Sequence, residues 1–456
     1  MPSLNSRRAR MALCLATAAT LSLSLARPAA AATTDELEAK LQALAAQVQA
    51  LQSEVATLKA QNAAAASSPV RAAQNAAAPA GATGVNAVSS GPAGTGTYSA
   101  AELGGGAAKD LDWFGYGEIN YTRPTKDSAG AQADVGRFVL GAAYRFDDRT
   151  RFISELEVEH AIASSSDAGE VEVEQAWIER QVSDSTYAKL GLFLIPSGML
   201  NDSHEPTRYY GVYRNFVETA IIPSTWREIG VSLEGDTSIG LRWDVGLTTG
   251  SDLSKWDAAS TEGIDSPLGS IHQEGQLARA GDLSGFVAAN YTGVPGLRLG
   301  ASLFAGDISQ GQPGFHNNNL ALWEAHGRWT PGNWDFAALY AHGHISNTAA
   351  VNQTLIGNPT LIPEDFYGWY TQAAYIATLP NAWTLAPFAR YERVNTGSTY
   401  ASIGVGFTPD ALQTQAITTV GFNLNIAPGV VVKIDYQSFD RDSSLDRVDL
   451  GLGYQF

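Results

Sequence analysis

The stretch from residue 196 to 226 contains the side chains best suited to bind a small charged solute. They are Glu205, Arg208, Tyr209, Tyr213 and Arg214. An arginine presents a planar fork of N–H donors and stays charged, so two arginines this close together favour binding of oxyanions. The same two arginines could instead pair with carboxylates of a neighbouring wall, such as Glu155 and Glu157, and hold the stretch in place. The residue types alone leave both interpretations open.

The other reactive side chains form no catalytic pattern. Among the seven histidines, His342 and His344 lie on one face of a predicted strand, where they favour a polar patch over a weak metal pair. No histidine lies in a recognisable nucleophile or metal-ligand motif. Cys14 is the only cysteine and falls in an N-terminal segment that we expect to be removed. We therefore predict no enzyme and no cofactor, with an outer-membrane hydrolase as the less favoured alternative.

The last nine residues indicate which elements position these side chains. From Val448 to Phe456, apolar residues occupy alternate positions, and the intervening positions hold Asp, Gly and Gln. Side chains alternate between the faces of a strand, so one face is apolar. Transmembrane barrel strands have this pattern over about ten residues, with aromatic residues at the interfaces. Soluble domains seldom end on an apolar strand, because chain termini fray in water. The ending therefore favours a membrane barrel.

Sixteen strand-length segments follow one another after the N-terminal region. We predict strands over 113–122, 136–147, 150–160, 170–182, 186–195, 226–236, 240–250, 283–292, 296–306, 320–330, 333–345, 366–377, 382–394, 414–427, 429–439 and 446–456. Connections after even-numbered strands are tight, whereas most of those after odd-numbered strands are long, as in outer-membrane barrels with short periplasmic turns. We therefore predict an all-β fold over residues 111–456, a 16-stranded antiparallel transmembrane β-barrel with both ends in the periplasm.

A barrel of this size encloses water. Eight strands are filled by their own side chains, whereas sixteen leave an aqueous channel. Strand alternation places charged residues of both signs on the predicted lumen wall. They include Arg145, Arg151, Glu155, Glu157, Arg242, Arg328 and Arg390. The pattern predicts a passive pore for small solutes and ions.

The N-terminal region divides into three segments. Residues 1–32 have a basic start, an apolar stretch and a small-residue cleavage site, which are typical of a secretory signal peptide. Residues 33–61 carry Leu and Val at heptad positions and predict a short periplasmic coiled coil, with a single amphipathic helix as the alternative. Residues 62–110 have the composition of a flexible linker. Without the signal peptide the chain has 25 basic and 46 acidic residues, which argues against a nucleic-acid partner.

Short motifs around the fifth and sixth predicted strands resemble the phosphate-selective porin O and P family. The run from Gly191 to Gly198 leads into the long loop, and the run from Gly230 to Gly235 follows it. Phe388 to Glu392 and the terminal Tyr-Gln-Phe also fit, so the resemblance covers about residues 113 to 456. It implies a usually trimeric porin in the outer membrane of a Gram-negative bacterium. Its third extracellular loop, here 196–226, would fold into the lumen.

The resemblance also implies roles for particular residues. The third loop would form the constriction, with Arg208 and Arg214 available to anions such as phosphate. Tyr454 and Phe456 would belong to the terminal signal that the barrel-assembly machinery reads. Family phosphate specificity rests on a dense cationic ladder. The lumen arginines of this chain are interleaved with acids, and this favours weak selectivity.

Two alternatives stay open at this stage. Val48 and Val55 at one heptad position, with Leu at the other, favour a dimeric coiled coil, whereas the resemblance implies a homotrimer. We expect the trimer, because barrel walls bury more area than three heptads. The coiled coil could also link the outer membrane to the cell wall, with the barrel serving only as an incidental or plugged anchor.

Overall fold

The computed structural model describes residues 111–162, 164 and 167–456, and the predicted signal peptide, coiled coil and linker lie outside these residues. Almost all of the regular structure is antiparallel sheet. The strands are β1 (Leu111–Pro124), β2 (Gln132–Asp147), β3 (Thr150–Glu159), β4 (Val171–Ser183), β5 (Thr186–Leu194), β6 (Arg227–Asp236), β7 (Leu241–Thr248), β8 (Ser284–Val294), β9 (Leu297–Asp307), β10 (Asn319–Trp329), β11 (Trp334–Ile345), β12 (Asp365–Tyr375), β13 (Ala377–Thr378), β14 (Thr384–Thr399), β15 (Gln415–Ala427), β16 (Val430–Phe439) and β17 (Arg447–Gln455).

These segments form one closed barrel of sixteen strands. The segments β12 and β13 are separated only by Ile376, and both pair with β14, so they are two parts of a single strand. Every other strand pairs with its neighbours in sequence, and β1 also pairs with β17. The Gly115 amide donates to the Phe456 carbonyl at 3.0 Å, and the Phe456 amide donates to the Gly115 carbonyl at 2.9 Å. The ladder of hydrogen bonds therefore has no free edge.

The outer face of the barrel is apolar. On β17, Val448, Leu450 and Leu452 are exposed, while Asp449 between them is fully buried inside. Outward aromatic residues cluster near the tight-turn end, where the rings of Trp334 and Phe336 stack with centroids 5.6 Å apart. Apolar-out, polar-in strands with aromatic girdles are the pattern of a transmembrane barrel.

The connections sort by length between the two ends of the barrel. One end has the short turns, such as 148–149 between β2 and β3 and 428–429 between β15 and β16. The other end has the long loops, including 195–226 after β5, which we call loop 3, and 249–283 after β7. Loop helices are short, with α1 at Glu262–Asp265 and α2 at Thr348–Thr354. Among the described residues, no helix is long and apolar enough to cross a membrane.

The predicted sixteen-stranded barrel is confirmed, and each predicted strand overlaps an observed one. The largest boundary differences are at β2, which begins at Gln132, and at β14, which continues to Thr399. Both extensions pair with a neighbouring strand, Gln132 with Thr122 and Thr399 with Asp365. Pairing with a neighbour therefore extends these strands beyond the point where their own alternation is clear.

Deleting Phe456 should impair assembly of the barrel. The deletion removes two hydrogen bonds of the β1–β17 closure together with the end of the predicted assembly signal. We expect reduced protein in the outer-membrane fraction with unchanged total synthesis, measured by fractionation and immunoblotting. Phe407→Ala is the matched control, since Phe407 is an exposed aromatic in a long loop. Equal membrane levels for both variants would contradict the prediction.

Candidate channel constriction

Loop 3 begins and ends as a tightly closed base. The Ile195 amide donates to the Trp226 carbonyl at 2.9 Å, next to the last pair of β5 and β6. Asn201 crosslinks the two sides, because its amide nitrogen donates to the carbonyls of Ile195 and Trp226, each at 2.8 Å. Its side-chain oxygen accepts from the Trp226 amide, also at 2.8 Å. The base therefore holds the loop in one direction as it leaves the strands.

One sector of the barrel interior is apolar and packs against the second half of loop 3. Inward Phe193, Phe286 and Phe304 form a continuous buried cluster with loop residues such as Ile222 and Trp226. The rings of Trp226 and Phe304 lie 4.4 Å apart between centroids. The expectation of polar inward faces is therefore wrong in this sector. The apolar wall is covered by loop side chains, so burial stabilises it as in an ordinary core.

Glu218 organises the π-helical turn of loop 3, Val217–Ile221. Its buried carboxylate accepts from the amides of Met199 and Leu200 at 2.6 and 2.9 Å. It also accepts from Asn215 at 2.8 Å and from the hydroxyl of Tyr370, on β12, at 3.0 Å. Burial raises the pKa of this carboxyl, and the hydrogen bonds from Asn215, Met199 and Tyr370 partly lower it. One side chain thus ties two parts of the loop to the wall.

The tip of loop 3 is attached to wall carboxylates by its tyrosines and backbone. Tyr209 donates through its hydroxyl to Glu118 on β1 at 2.5 Å. Tyr210 donates to Asp335 on β11 at 2.9 Å, so the loop crosses the barrel interior. The backbone amides of Val212 and Phe216 each donate to a wall carboxylate at 2.6 Å. Those acceptors are Asp435 on β16 and Glu392 on β14.

A buried cation also anchors the tip. The Nζ atom of Lys433 on β16 lies 2.9 Å from the centroid of the Tyr209 ring, and it has no hydrogen-bond acceptor among the described residues. A desolvated ammonium over an aromatic face gains roughly 2 kcal/mol or more. The ring of Tyr209 therefore takes the place of a hydrogen-bond acceptor for the Lys433 ammonium group.

Glycines on the inner wall make room for the loop. A Cβ atom at Gly453 on β17 would lie 2.7 Å from the Cβ of Pro206, which is closer than side chains approach. At Gly368 on β12 a Cβ would lie 3.1 Å from Val217 and Ile221. The close packing of loop 3 against the wall thus favours glycine at these two positions.

The predicted constriction residues divide into accessible and buried groups. Arg208 and Tyr213 are half-buried, whereas Glu205, Tyr209 and Arg214 are buried. The prediction for Arg214 needs correction, because its guanidinium donates to the hydroxyls of Ser224 and Thr225 within the loop. A buried arginine that joins two parts of one loop does not line an aqueous path. Neither arginine is paired with Glu155 or Glu157 in a salt bridge among the described residues.

The predicted wall arginines face inward and most pair with acids. Arg151 contacts Glu179 at 2.6 Å, Arg242 contacts Glu234 at 2.9 Å, and Arg390 contacts Glu392 at 2.8 Å. Arg328 pairs with Asp335. Arg145 is exposed near the tight-turn end, and Glu155 and Glu157 are buried. The wall therefore carries local ion pairs more than a continuous cationic row.

Arg298 on β9 is a wall residue that the sequence analysis missed. It lies directly opposite Arg328 across the β9–β10 pair, and its Nε donates to Asn290 at 2.9 Å. Within the described part of the chain it forms no salt bridge. Like charges placed opposite each other destabilise a sheet, so this pair is a candidate for a functional role. Alternation along β9, which puts Arg298 on the same face as buried Phe304, could have identified it.

The histidine pair lies on the outside of the barrel. His344 contacts Asp365 at 2.8 Å and His342 contacts the same carboxylate at 3.6 Å. The ring of His342 also lies 6.1 Å from that of Trp323. These contacts make the two histidines part of a polar and aromatic patch near the long-loop end.

Comparisons with known proteins find similar barrels but no family. No family model matches the chain. A protein of Aquifex aeolicus (strain VF5), described as uncharacterized, is 26% identical over 347 residues, which cover 74% of this chain and 78% of that protein. Salmonella typhi OmpF in complex with daunomycin aligns with a TM-score of 0.49 and 13% identity, over 76% of this chain and 97% of that chain.

Two further solved structures give comparable alignments. The outer membrane channel DcaP of Acinetobacter baumannii aligns with a TM-score of 0.46 and 13% identity, over 76% of this chain and 97% of that one. An anion-selective porin from Comamonas acidovorans aligns with a TM-score of 0.45 and 12% identity, over 76% and 99%. The fold assignment rests on the strand pairing of this chain, and the resemblance to phosphate-selective porins stays a prediction.

Replacing Glu218 by Ala should loosen loop 3 without opening the barrel. The change leaves up to four buried donors without an acceptor, each costing roughly 1–3 kcal/mol. We expect faster hydrogen exchange of amides in 199–220 and larger current noise if the protein conducts. Tyr370→Phe, which removes one donor, should cost about 1 kcal/mol. Exchange rates in E218A equal to those of the wild type would show that the carboxylate does not hold the loop.

Proposed function

We propose that the chain is an outer-membrane porin through which small solutes and ions diffuse passively. One observation carries this proposal, namely that arginine side chains inside the closed barrel are partly exposed to solvent. Side chains of Arg151, Arg242 and Arg328 on the inner wall are 24%, 17% and 16% exposed. Arg208 on loop 3 is 32% exposed. Charged side chains that stay hydrated inside a barrel of this size favour an aqueous path.

The orientation of the barrel supports the proposed location. Both Leu111 and Phe456 lie at the tight-turn end, which faces the periplasm in outer-membrane barrels. The predicted signal peptide would deliver the chain to the periplasm. Residues 33–61 and the linker would then lie on the periplasmic side of a Gram-negative outer membrane, and the barrel wall would contact lipid.

The wall arginines support a weak preference for anions. Arg298 has no salt bridge among the described residues and faces Arg328 across the sheet. Charges near a narrow, low-dielectric path act strongly on permeating ions. The ion pairs of Arg242 and Arg390 with acids argue against a strong cationic filter. Small anions, phosphate among them, are the solutes that this arrangement favours.

Planar-bilayer recording of the purified protein tests the function directly. We expect discrete conductance steps and a reversal potential in a salt gradient that indicates modest anion preference. Arg298→Ala should shift the reversal potential toward cations. The matched control is Arg180→Ala, since Arg180 lies at the barrel rim beside Asp147 and is exposed. An unchanged reversal potential in R298A would contradict the assigned role of Arg298.

A plugged barrel that serves as an anchor is the second candidate, and the many contacts of loop 3 with the wall favour it. Removing residues about 200 to 222 distinguishes the two candidates. A porin should conduct as wild type and conduct more after the deletion. A plugged anchor should show no steps until the loop is removed. Equal conductance with and without these residues would place loop 3 outside the path.

We also propose a homotrimer whose association rests on the barrel walls. Truncating the chain to begin near residue 109 removes the predicted coiled coil and leaves the barrel intact. Chemical cross-linking should then yield trimers for both the full-length and the truncated protein. A truncated protein that is monomeric would mean that residues 33–61 drive association, and a dimer of the full chain would agree with the Val and Leu heptad pattern.

A further inference from the structure

A buried group of acids and one histidine joins loop 3 to the inner wall of β1, β3 and β4. It contains Tyr116, Glu155, Glu174 and His204, each with at most 4% of its surface exposed. Ligand atoms of the two glutamates and the histidine lie within 4.8 Å of one another. His204 precedes the loop tip, so this group lies between the base of loop 3 and its tip.

The ring of His204 is oriented so that Nε2 can accept a hydrogen bond or bind a metal ion. Its Nδ1 lies 2.9 Å from the Asn201 carbonyl oxygen, which can only accept, so Nδ1 carries a hydrogen. In the neutral ring Nε2 then has a lone pair. That nitrogen lies 2.7 Å from a Glu174 carboxylate oxygen and 2.7 Å from the Tyr116 hydroxyl. A backbone carbonyl that fixes the second nitrogen is the usual support of a metal-binding histidine.

More acceptors converge here than there are hydrogens to satisfy them. The single hydroxyl hydrogen of Tyr116 faces Glu155 at 3.3 Å, Glu174 at 3.2 Å and Nε2 of His204 at 2.7 Å. It can serve only one of them. Two acceptor atoms at 2.7 Å, such as Nε2 and the Glu174 oxygen, repel unless a proton or a metal ion lies between them.

In their ionised forms the carboxyl groups of this cluster would repel one another. Glu157 is buried beside Glu155 and Glu174, while Arg137 is occupied by Glu118 at 3.1 Å and by the His204 carbonyl. Buried carboxylates without compensating charge are expensive, by several kcal/mol each. The cluster therefore requires either protons on its carboxyl groups or a bound cation.

We propose that Glu155, Glu174 and His204, with the Tyr116 hydroxyl as a fourth donor, bind a divalent transition-metal ion of the Zn²⁺ type. Mixed imidazole and carboxylate donors favour such ions over Mg²⁺ or Ca²⁺. Four donors around Zn²⁺ at about 2.0–2.1 Å are separated by about 3.3 Å, so small side-chain shifts suffice. The ion would bond loop 3 to three wall strands. This inference does not depend on whether the barrel conducts.

The other histidine sites lack this combination and supply controls. His326 is equally enclosed and contacts Glu324 at 2.8 Å, but its second nitrogen faces the Asn290 side chain at 3.0 Å. The His326 ring therefore contacts one carboxylate, and no lone pair of that ring is directed at a second carboxylate. His344 shares Asp365 with His342 on the outer face. His326→Gln and His344→Gln should therefore leave metal binding unchanged.

The test uses Co²⁺, whose visible absorption reports its coordination. Full-length protein is analysed for metal as isolated, then stripped with a chelator, refolded in detergent with Co²⁺ and dialysed. We expect about one ion per chain in the wild type, in H326Q and in H344Q. In H204Q and E174Q we expect binding weakened more than about 100-fold, because a direct ligand is lost.

Two outcomes overturn the proposal. They are a wild type that holds no metal either as isolated or after refolding, and equal Co²⁺ binding in H204Q and wild type. The first would mean that protons alone neutralise the cluster, and the second that metal binds elsewhere. Heat-modifiable migration on gels verifies that each variant folds. Glu155→Gln, which keeps the size of the side chain, provides a third ligand variant if H204Q or E174Q fails to assemble.

Discussion

Closure of the hydrogen-bond ladder between β1 and β17 is the constraint on which the structure depends. Lipid offers no partner for backbone N–H and C=O groups, so a sheet in a membrane must have no edge. Nine residue pairs from Tyr116–Gln455 to Pro124–Arg447 complete that circle. Because the wall is complete, its side chains are free to be apolar outside and to vary inside. The interior can then be specialised sector by sector.

The interior also provides hydrogen-bond partners for the backbone of loop 3, which is not part of the wall. Loop 3 brings unpaired amides and carbonyls into the barrel, where they need partners. Carboxylates of Asp435 and Glu392 accept from its amides, and Arg390 donates to the Tyr210 carbonyl at 3.2 Å. These charged side chains of the wall therefore form hydrogen bonds with the backbone of loop 3. The partly exposed side chains of Arg151, Arg242 and Arg328 mark the part of the interior wall that solvent reaches.

The strands could be predicted from sequence because alternation and turn chemistry are local. The inward and outward faces of a strand could be assigned from sequence where polar and apolar residues alternate clearly, as on β17. They could not be assigned for β8 and β9, because Phe286 and Phe304 face inward toward loop 3, which is distant from both in sequence. The partners of Arg214 could not be predicted for a different reason, since Ser224 and Thr225 meet it through the irregular path of its own loop. Nothing local to Glu174 or His204 indicates that they meet, because the contact depends on how the loop enters.

Packing at Gly453 makes part of the barrel interior depend on β17, which is the last strand to be synthesised. Pro206 packs over this glycine, and the hydroxyl of Thr207 lies 2.6 Å from the Gln455 side chain, 248 residues further along the chain. Such a long-range contact forms late, since the loop-closure entropy must first be overcome. The segment of loop 3 that precedes its tip therefore gains these contacts only when the final strand is in place. A barrel stalled before its last strand would leave Pro206 and Thr207 without their wall partners, even with the tip already bound to the other strands.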